Sequence, residues 1–228
     1  MTVAQMLTEL DLRMDEANAP WFNDTEKLRF LNGAQQTLVR QYLEIFDVND
    51  RARQALANLN ERPALTFTQV GTTPEWTANL DSVTLPNNGV AVHVSAVLVT
   101  LSLGLKTNYR TVCNYVRDHM LDGILRNPHT RPSIDKPLYT MQHDGSTNTV
   151  RQISVWVDSP NRPAPYATIA NSAQVNVVRL PREMNTVGPV ECELFPWLHQ
   201  ELLTIAATRM LETVESARTG TQHQVQAE

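Results

Sequence analysis

The sequence predicts an α+β fold in which N-terminal antiparallel helices and a C-terminal helix form a helical bundle, with an antiparallel β-rich region inserted between them. Three observations predict it. Apolar residues recur at helical spacing near both ends of the chain. Between them lie short runs of alternating apolar and polar residues, separated by proline and turn residues. The order is helices, then strands, then one helix, which is not the strand–helix alternation that winds a parallel sheet. The expected regions are 1–62 for the N-terminal helices, 63–190 for the β-rich region, 191–218 for the returning helix and 219–228 for a flexible tail.

The first helix is expected over 2–16, where Val3, Met6, Leu7, Leu10, Met14 and Ala17 share one face. Pro20 stops it. Asn23 is a good N-cap, and Glu26 three residues on completes a capping box. Trp21 and Phe22 stand just before that cap, where a hydrophobic staple is expected. The second helix runs to about Phe46 on a stripe of Leu28, Leu31, Ala34 or Gln35, Leu38, Tyr42, Ile45 and Phe46. The short connection makes these two helices antiparallel neighbours. A third, shorter helix is expected over Asn49–Leu59.

After Arg62-Pro63 the pattern changes to period two. Ala64–Thr72 and Leu80–Pro86 read as strands, and Asn87-Asn88-Gly89 as a turn that tolerates positive φ. Val90–Leu103 is apolar on one face and then on both, as in a strand that passes into a buried position. Arg110–Arg126 reads as a strand followed by a helix, and Asn127-Pro128 ends it. Leu138–Gln142 and Arg151–Val157 are strands flanking a turn at Asp144-Gly145-Ser146. The prolines of Ser159–Pro165 make a connector. Gln174–Pro181 alternates at Val175 and Val177, then slips to Val178 and Leu180, which predicts a β-bulge. The last helix spans Pro196–Ala217, with proline in its first turn. Its buried stripe is Leu198, Leu202, Ile205, Ala206, Met210 and Val214.

With 228 residues, the chain can bury a substantial core, and 42% apolar content predicts a folded protein. A net charge of −5 argues against a sequence-independent nucleic-acid clamp, which needs clustered cations to displace counterions. Cys113 and Cys192 lie far apart with no CxxC, and read as reduced, partly buried thiols. The charged N-terminus does not resemble a signal peptide, and no apolar run approaches a membrane span. The expectation is a soluble protein made in a cytoplasm.

Chemistry-bearing motifs are missing. Only 8 glycines are present, with no phosphate loop, dinucleotide fingerprint or nucleophile elbow. None of the six histidines forms an HxH, HxxxH or HExxH pair, so no metal site is expected. Cys113 with His119 reads as a buried thiol beside a surface imidazole. His199 has no visible catalytic partner. Asp11, Asp15 and Glu16 read as solvated helix surface. Trp156 and Trp197 read as core or interface residues. No catalytic residue, cofactor or metal is expected, although a triad built from distant residues leaves no local motif.

Trp21-Phe22-Asn23-Asp24-Thr25-Glu26, followed by Leu31-Asn32-Gly33-Ala34-Gln35, resembles the opening of the head–tail adaptor proteins of tailed bacteriophages, also called connector or neck ring proteins. The resemblance continues at Arg62-Pro63-Ala64-Leu65, Leu85-Pro86, Arg126-Asn127-Pro128, Arg131-Pro132 and Lys136-Pro137-Leu138-Tyr139. It ends with Leu194-Phe195-Pro196 and the helix that carries Ala206 and Ala207. In layout the chain is closest to the ring proteins of short-tailed and crAss-like phages.

The resemblance implies a structural virion protein that forms a homo-dodecameric ring between the portal protein and the tail or further ring proteins. Genomic DNA would pass through its channel without sequence-specific binding, and an acidic wall would let it slide. It places the protein in the virion neck, with no membrane and no enzymatic activity. Interface residues expected on this basis are Trp21, Asn32, Gln35, Trp197 and Val225, with the tail Thr219–Glu228 ordering on assembly. The alternatives are another virion part, such as a tail-tube or fibre-attachment component, or a hydrolase.

Overall fold

The expected helical bundle with a β insertion is not what the chain builds. The computed structural model is a mixed α/β protein dominated by a curled sheet, a half-barrel, with five α-helices among the described residues. It describes residues 1–16, 22–80, 85, 90–145, 149–160, 164–169, 173–187 and 190–225. The chain divides into two compact units, Met1–Leu59 with Pro181–Glu228, and Asn60–Leu180. The reason for the correction is where apolar residues concentrate: the middle of the chain carries one thirteen-residue strand flanked on both sides, and so builds a hydrophobic core of its own.

The helical unit contains α1 (Val3–Glu16), α2 (Asp24–Glu44), α3 (Asp50–Ala55) and α5 (His199–Val225). Asn23 and Glu26 cap α2 reciprocally: the Glu26 N–H donates to Asn23 Oδ1 and the Asn23 N–H to Glu26 Oε2, both at 2.9 Å. The staple differs from expectation. Phe22 packs edge-on against Phe30 at 5.7 Å between centroids, because the position one turn into α2 is taken by Lys27. Pro20 and Trp21 lie outside the described residues.

α2 and α5 pack together along their apolar stripes, and α1 lies against both. Val3, Met6, Leu10, Leu31, Leu38, Leu198, Leu202, Ala206 and Met210 are buried. Each large aliphatic side chain there contributes about 1.5–3 kcal/mol over an exposed one. Lys27, only 1% exposed, lies within the same packing and pairs with Asp11 at 2.7 Å and Asp24 at 3.0 Å. α5 begins after a 3₁₀ turn at Pro196–Leu198 and runs on to Val225, through part of the segment expected to be a tail.

Among its described residues the β unit holds ten strands: β1 (Asn60–Glu61), β2 (Ala64–Leu65), β3 (Thr68–Gln69), β4 (Glu75–Asn79), β5 (Ala91–Leu103), β6 (Lys106–Tyr115), β7 (Leu138–His143), β8 (Val150–Trp156), β9 (Thr168–Ile169) and β10 (Ala173–Arg179). The sheet order is β1-β10-β5-β6-β7-β8-β4-β3, with β2 also on β10 and β9 on β5. One segment, Ala64–Gln69, reaches both ends: Ala64 pairs with Gln174 of β10, and Thr68 with Thr77 of β4. That double pairing goes with the sheet's curl, and it divides the strand expected over Ala64–Thr72 into two.

The slip read at Val177–Val178 is present as register shifts between Asn176 and Val177 and between Val178 and Arg179. The region is not wholly antiparallel. β6 and β7 run parallel, with Asn114 opposite Leu138 and Tyr115 opposite Tyr139. A parallel pair needs a crossover, and the helix α4 (Asp118–Arg126) lies in it. Val97, Val99, Leu101, Ile153, Val155, Val175 and Val177 form the fully buried centre. The turn expected at Asn87-Asn88-Gly89 lies outside the described residues, as do residues 81–84 and 86 of the second expected strand.

Candidate interaction surfaces

The two polar residues expected at an interface serve the helical unit itself. Asn32, halfway along α2, presents its amide to the main chain of Met184: Oδ1 accepts from the Met184 N–H at 2.8 Å, and Nδ2 donates to the Met184 carbonyl at 3.2 Å. One turn on, Gln35 Nε2 donates to the Arg182 carbonyl at 3.3 Å. Together they hold the returning segment 182–184 against α2. Gln35 is 1% exposed and presents no surface to a neighbour.

Trp197 is 44% exposed. The Arg51 guanidinium lies 5.0 Å over its ring, and Tyr42 meets it edge-on at 6.4 Å. Tyr42 donates to Glu201 at 3.3 Å, and burial followed by that carboxylate raises its pKa. This is an aromatic patch open to solvent. Trp21 lies outside the described residues, and Val225 is the last residue of α5.

A groove of about 470 Å³ opens between α2 and α5, lined by Phe22, Glu26, Arg29 and Phe30 on one side and Arg209 and Thr213 on the other. Gly33 forms part of it. A Cβ there would come within 3.3 Å of Arg209 Nη1, so the glycine lets that side chain lie across α2 and donate to the Thr37 hydroxyl at 2.7 Å. The sequence marks Phe22 and Glu26 only as staple and cap, and does not single out Arg29, Phe30, Arg209 or Thr213 as a groove. The available signal was that Phe30 falls off the buried stripe of its own helix.

In the β unit the distal half of β6 is an open edge. The Asn114 N–H donates to the Pro137 carbonyl at 2.8 Å, and the Val116 N–H to the Tyr139 carbonyl at 2.9 Å, both toward β7. Main-chain groups of alternate residues point the same way in a strand, so Arg110 and Val112 face the same side, away from β5. No strand pairs with them there among the described residues. The β5–β6 connection is a two-residue turn with Gly104 at φ +57°, the left-handed conformation that hairpin twist selects. It leaves Leu105 fully exposed, at 103%. Val112, Tyr115 and Met120 are also exposed nearby in sequence.

The residues considered for chemistry are engaged elsewhere. His199 is buried, with Nε2 3.1 Å from the Leu194 carbonyl and Nδ1 3.1 Å from the Met1 amino nitrogen. The carbonyl can only accept, which assigns the proton to Nε2. Burial lowers the His199 pKa against the opposing Leu194 bond, and the Met1 amino group lowers it further. Burial pushes the Cys113 thiol far up and raises Cys192 as well, so neither is a ready thiolate. Cys113 lies on β6 and His119 on α4. Asp11 is paired with Lys27. Among the described residues no group of three or more His, Cys, Asp or Glu side chains could hold a metal ion, and no helix is long and apolar enough to cross a membrane.

In comparisons with known proteins, no protein-family model and no curated protein matches the chain.

Proposed function

We propose that the chain is a structural subunit of a ring between the portal and the tail of a tailed bacteriophage, where it extends the DNA channel and carries the tail. The observation that carries this reading is the open edge of β6 with the exposed Leu105 turn beside it. Proteins that work alone blunt or cover long strand edges, because an unpaired row of N–H and C=O groups recruits other chains. A subunit leaves such an edge for its neighbour. The exposed Trp197 patch on the helical unit adds a second association surface.

A closed ring requires a heterologous contact, in which each copy offers two different surfaces. The partners are the portal protein, further copies of the chain in a dodecamer, and a tail or ring protein. The role needs no cofactor and no catalysis. A net charge of −5 suits a wall past which DNA slides, since few cations are available to hold phosphate. The test is native mass measurement of the purified chain, alone and mixed with purified portal protein, together with imaging of the assembled particle. A ring, or capture on the portal, supports the reading. A chain that stays monomeric and ignores both portal and tail proteins overturns it.

A further inference from the structure

We propose that the groove between α2 and α5 receives the outer face of α1 from a second copy of this chain. The groove combines apolar ground with an excess of positive charge, two guanidinium groups (Arg29 and Arg209) against one carboxylate (Glu26) among its described lining residues. Its floor is the edge-on pair Phe22 and Phe30. Arg209 is fixed across it by Thr37. Arg29 is exposed and has no ion-pair partner among the described residues. Glu26, the carboxylate among the lining residues, is committed to the N-cap of α2. The matching occupant is an apolar side chain flanked by carboxylates.

The outer face of α1 has that chemistry. Its buried stripe is Val3, Met6, Leu7, Leu10 and Met14, and Leu12 stands off it at 56% exposure. Asp15, three residues on, is exposed and has no partner among the described residues, and Glu9 lies three residues before Leu12. Residues three apart on a helix are surface neighbours, so Leu12 sits between two carboxylates. Arg13, the nearest cation, is turned to α5, where it donates to Gln200 at 2.7 Å and Thr204 at 3.1 Å. It also holds Glu9 at 3.5 Å, whereas Asp15 has no ion-pair partner among the described residues.

The two surfaces lie on different flanks of the helical unit. Thr204 faces α1, whereas Thr213 lines the groove; at 3.6 residues per turn these positions are about half a turn apart around α5. The contact is therefore head-to-tail, Leu12 of one copy on Phe22 and Phe30 of the next, with Asp15 against Arg29. A head-to-tail contact closes into a ring or extends into a filament. The inference rests on the ring reading in supposing that copies of this chain meet, and goes beyond it in naming the surfaces.

Sedimentation velocity of the full chain over a concentration series tests it. The wild type is expected to associate, and Asp15→Arg or Arg29→Asp each to weaken association by roughly tenfold or more, because each places like charges together. The double reversal in one chain is expected to return to within about threefold of wild type, since it restores the pair. Both side chains are exposed, so thermal unfolding of the variants should match wild type. Reversals that leave wild-type association unchanged overturn the groove assignment while leaving the ring reading to stand on another contact. A wild type still monomeric at about 1 mM overturns it as well. Failure to bind purified portal counts against the ring reading alone.

Discussion

In the helical unit, side chains distant in sequence fix one another through directed polar bonds. Asn32 and Gln35 hold Met184 and Arg182, Arg13 reaches Gln200 and Thr204, Lys27 binds Asp11, and Arg209 binds Thr37. In the β unit, position is set by register: a thirteen-residue strand pairs on both flanks, and its buried side chains are almost all aliphatic. The difference is physical. Packed helices can rotate and slide, so polar bonds are needed to select one arrangement. A strand that slips by one residue turns its whole apolar face outward, so the pleat itself selects the register.

The largest effect expected from breaking this contrast is in the β core. Ile153→Ala removes a side chain with no exposure in the middle of β8, and should cost about 2–5 kcal/mol in denaturant unfolding. A loss under about 1 kcal/mol would mean that the sheet collapses around the gap, and would count against register as the organising device. In the helical unit, Asp11→Ala removes the 2.7 Å carboxylate partner of the buried Lys27, and about 1–3 kcal/mol should be lost. Lys27→Met should cost much less, or stabilise, because it removes the buried charge together with its need for partners. If the two changes cost the same, the lysine is not held by Asp11 in solution.

Asn32→Ala should follow at about 1–3 kcal/mol, because it leaves both main-chain groups of Met184 unpaired. Hydrogen exchange that increases around residues 182–184 and not in the β unit would place the effect. The smallest effect is a pH dependence. His199 titrates near 6.5 when unfolded and lower when folded. Above that range it is neutral in both states. As pH falls through it, the unfolded state takes up the proton first, so stability drops. His199→Gln should flatten this part of the stability curve; a variant with unchanged slope would assign it to another group.

The same contrast explains what could be read from the sequence. The Asn23–Glu26 cap, the stripe of α5 and the slip in β10 were legible because each is a short-range pattern with one geometric solution. The double pairing of Ala64–Gln69 and the parallel β6–β7 pair were not, because partner choice over long separations leaves no local mark. The strands β1 and β9, two residues each, are too short to carry a period. The fold class departs from expectation for that reason: short strands between proline turns read as an insertion, whereas they form the main sheet. Of the surface features, Trp197 stood out by residue type, and Leu12 and Phe30 could have been found as apolar residues off their stripes. The open edge of β6 depends on which strand fails to pair, and only coordinates show that.

The Asn32 lock also bears on chemical ageing. Asn32 is followed by Gly33, the pairing in which an asparagine side chain is most readily attacked by the next main-chain nitrogen, expelling ammonia to give a succinimide that water then opens to aspartate or isoaspartate. While α2 is formed and the amide is held by Met184, that nitrogen cannot reach it. If the segment opens and the reaction occurs, the product is a carboxylate, which cannot donate to the Met184 carbonyl, and the lock does not re-form. Peptide mapping of aged protein should therefore find Asn32 intact in the wild type, and modified faster in any variant that loosens residues 182–184.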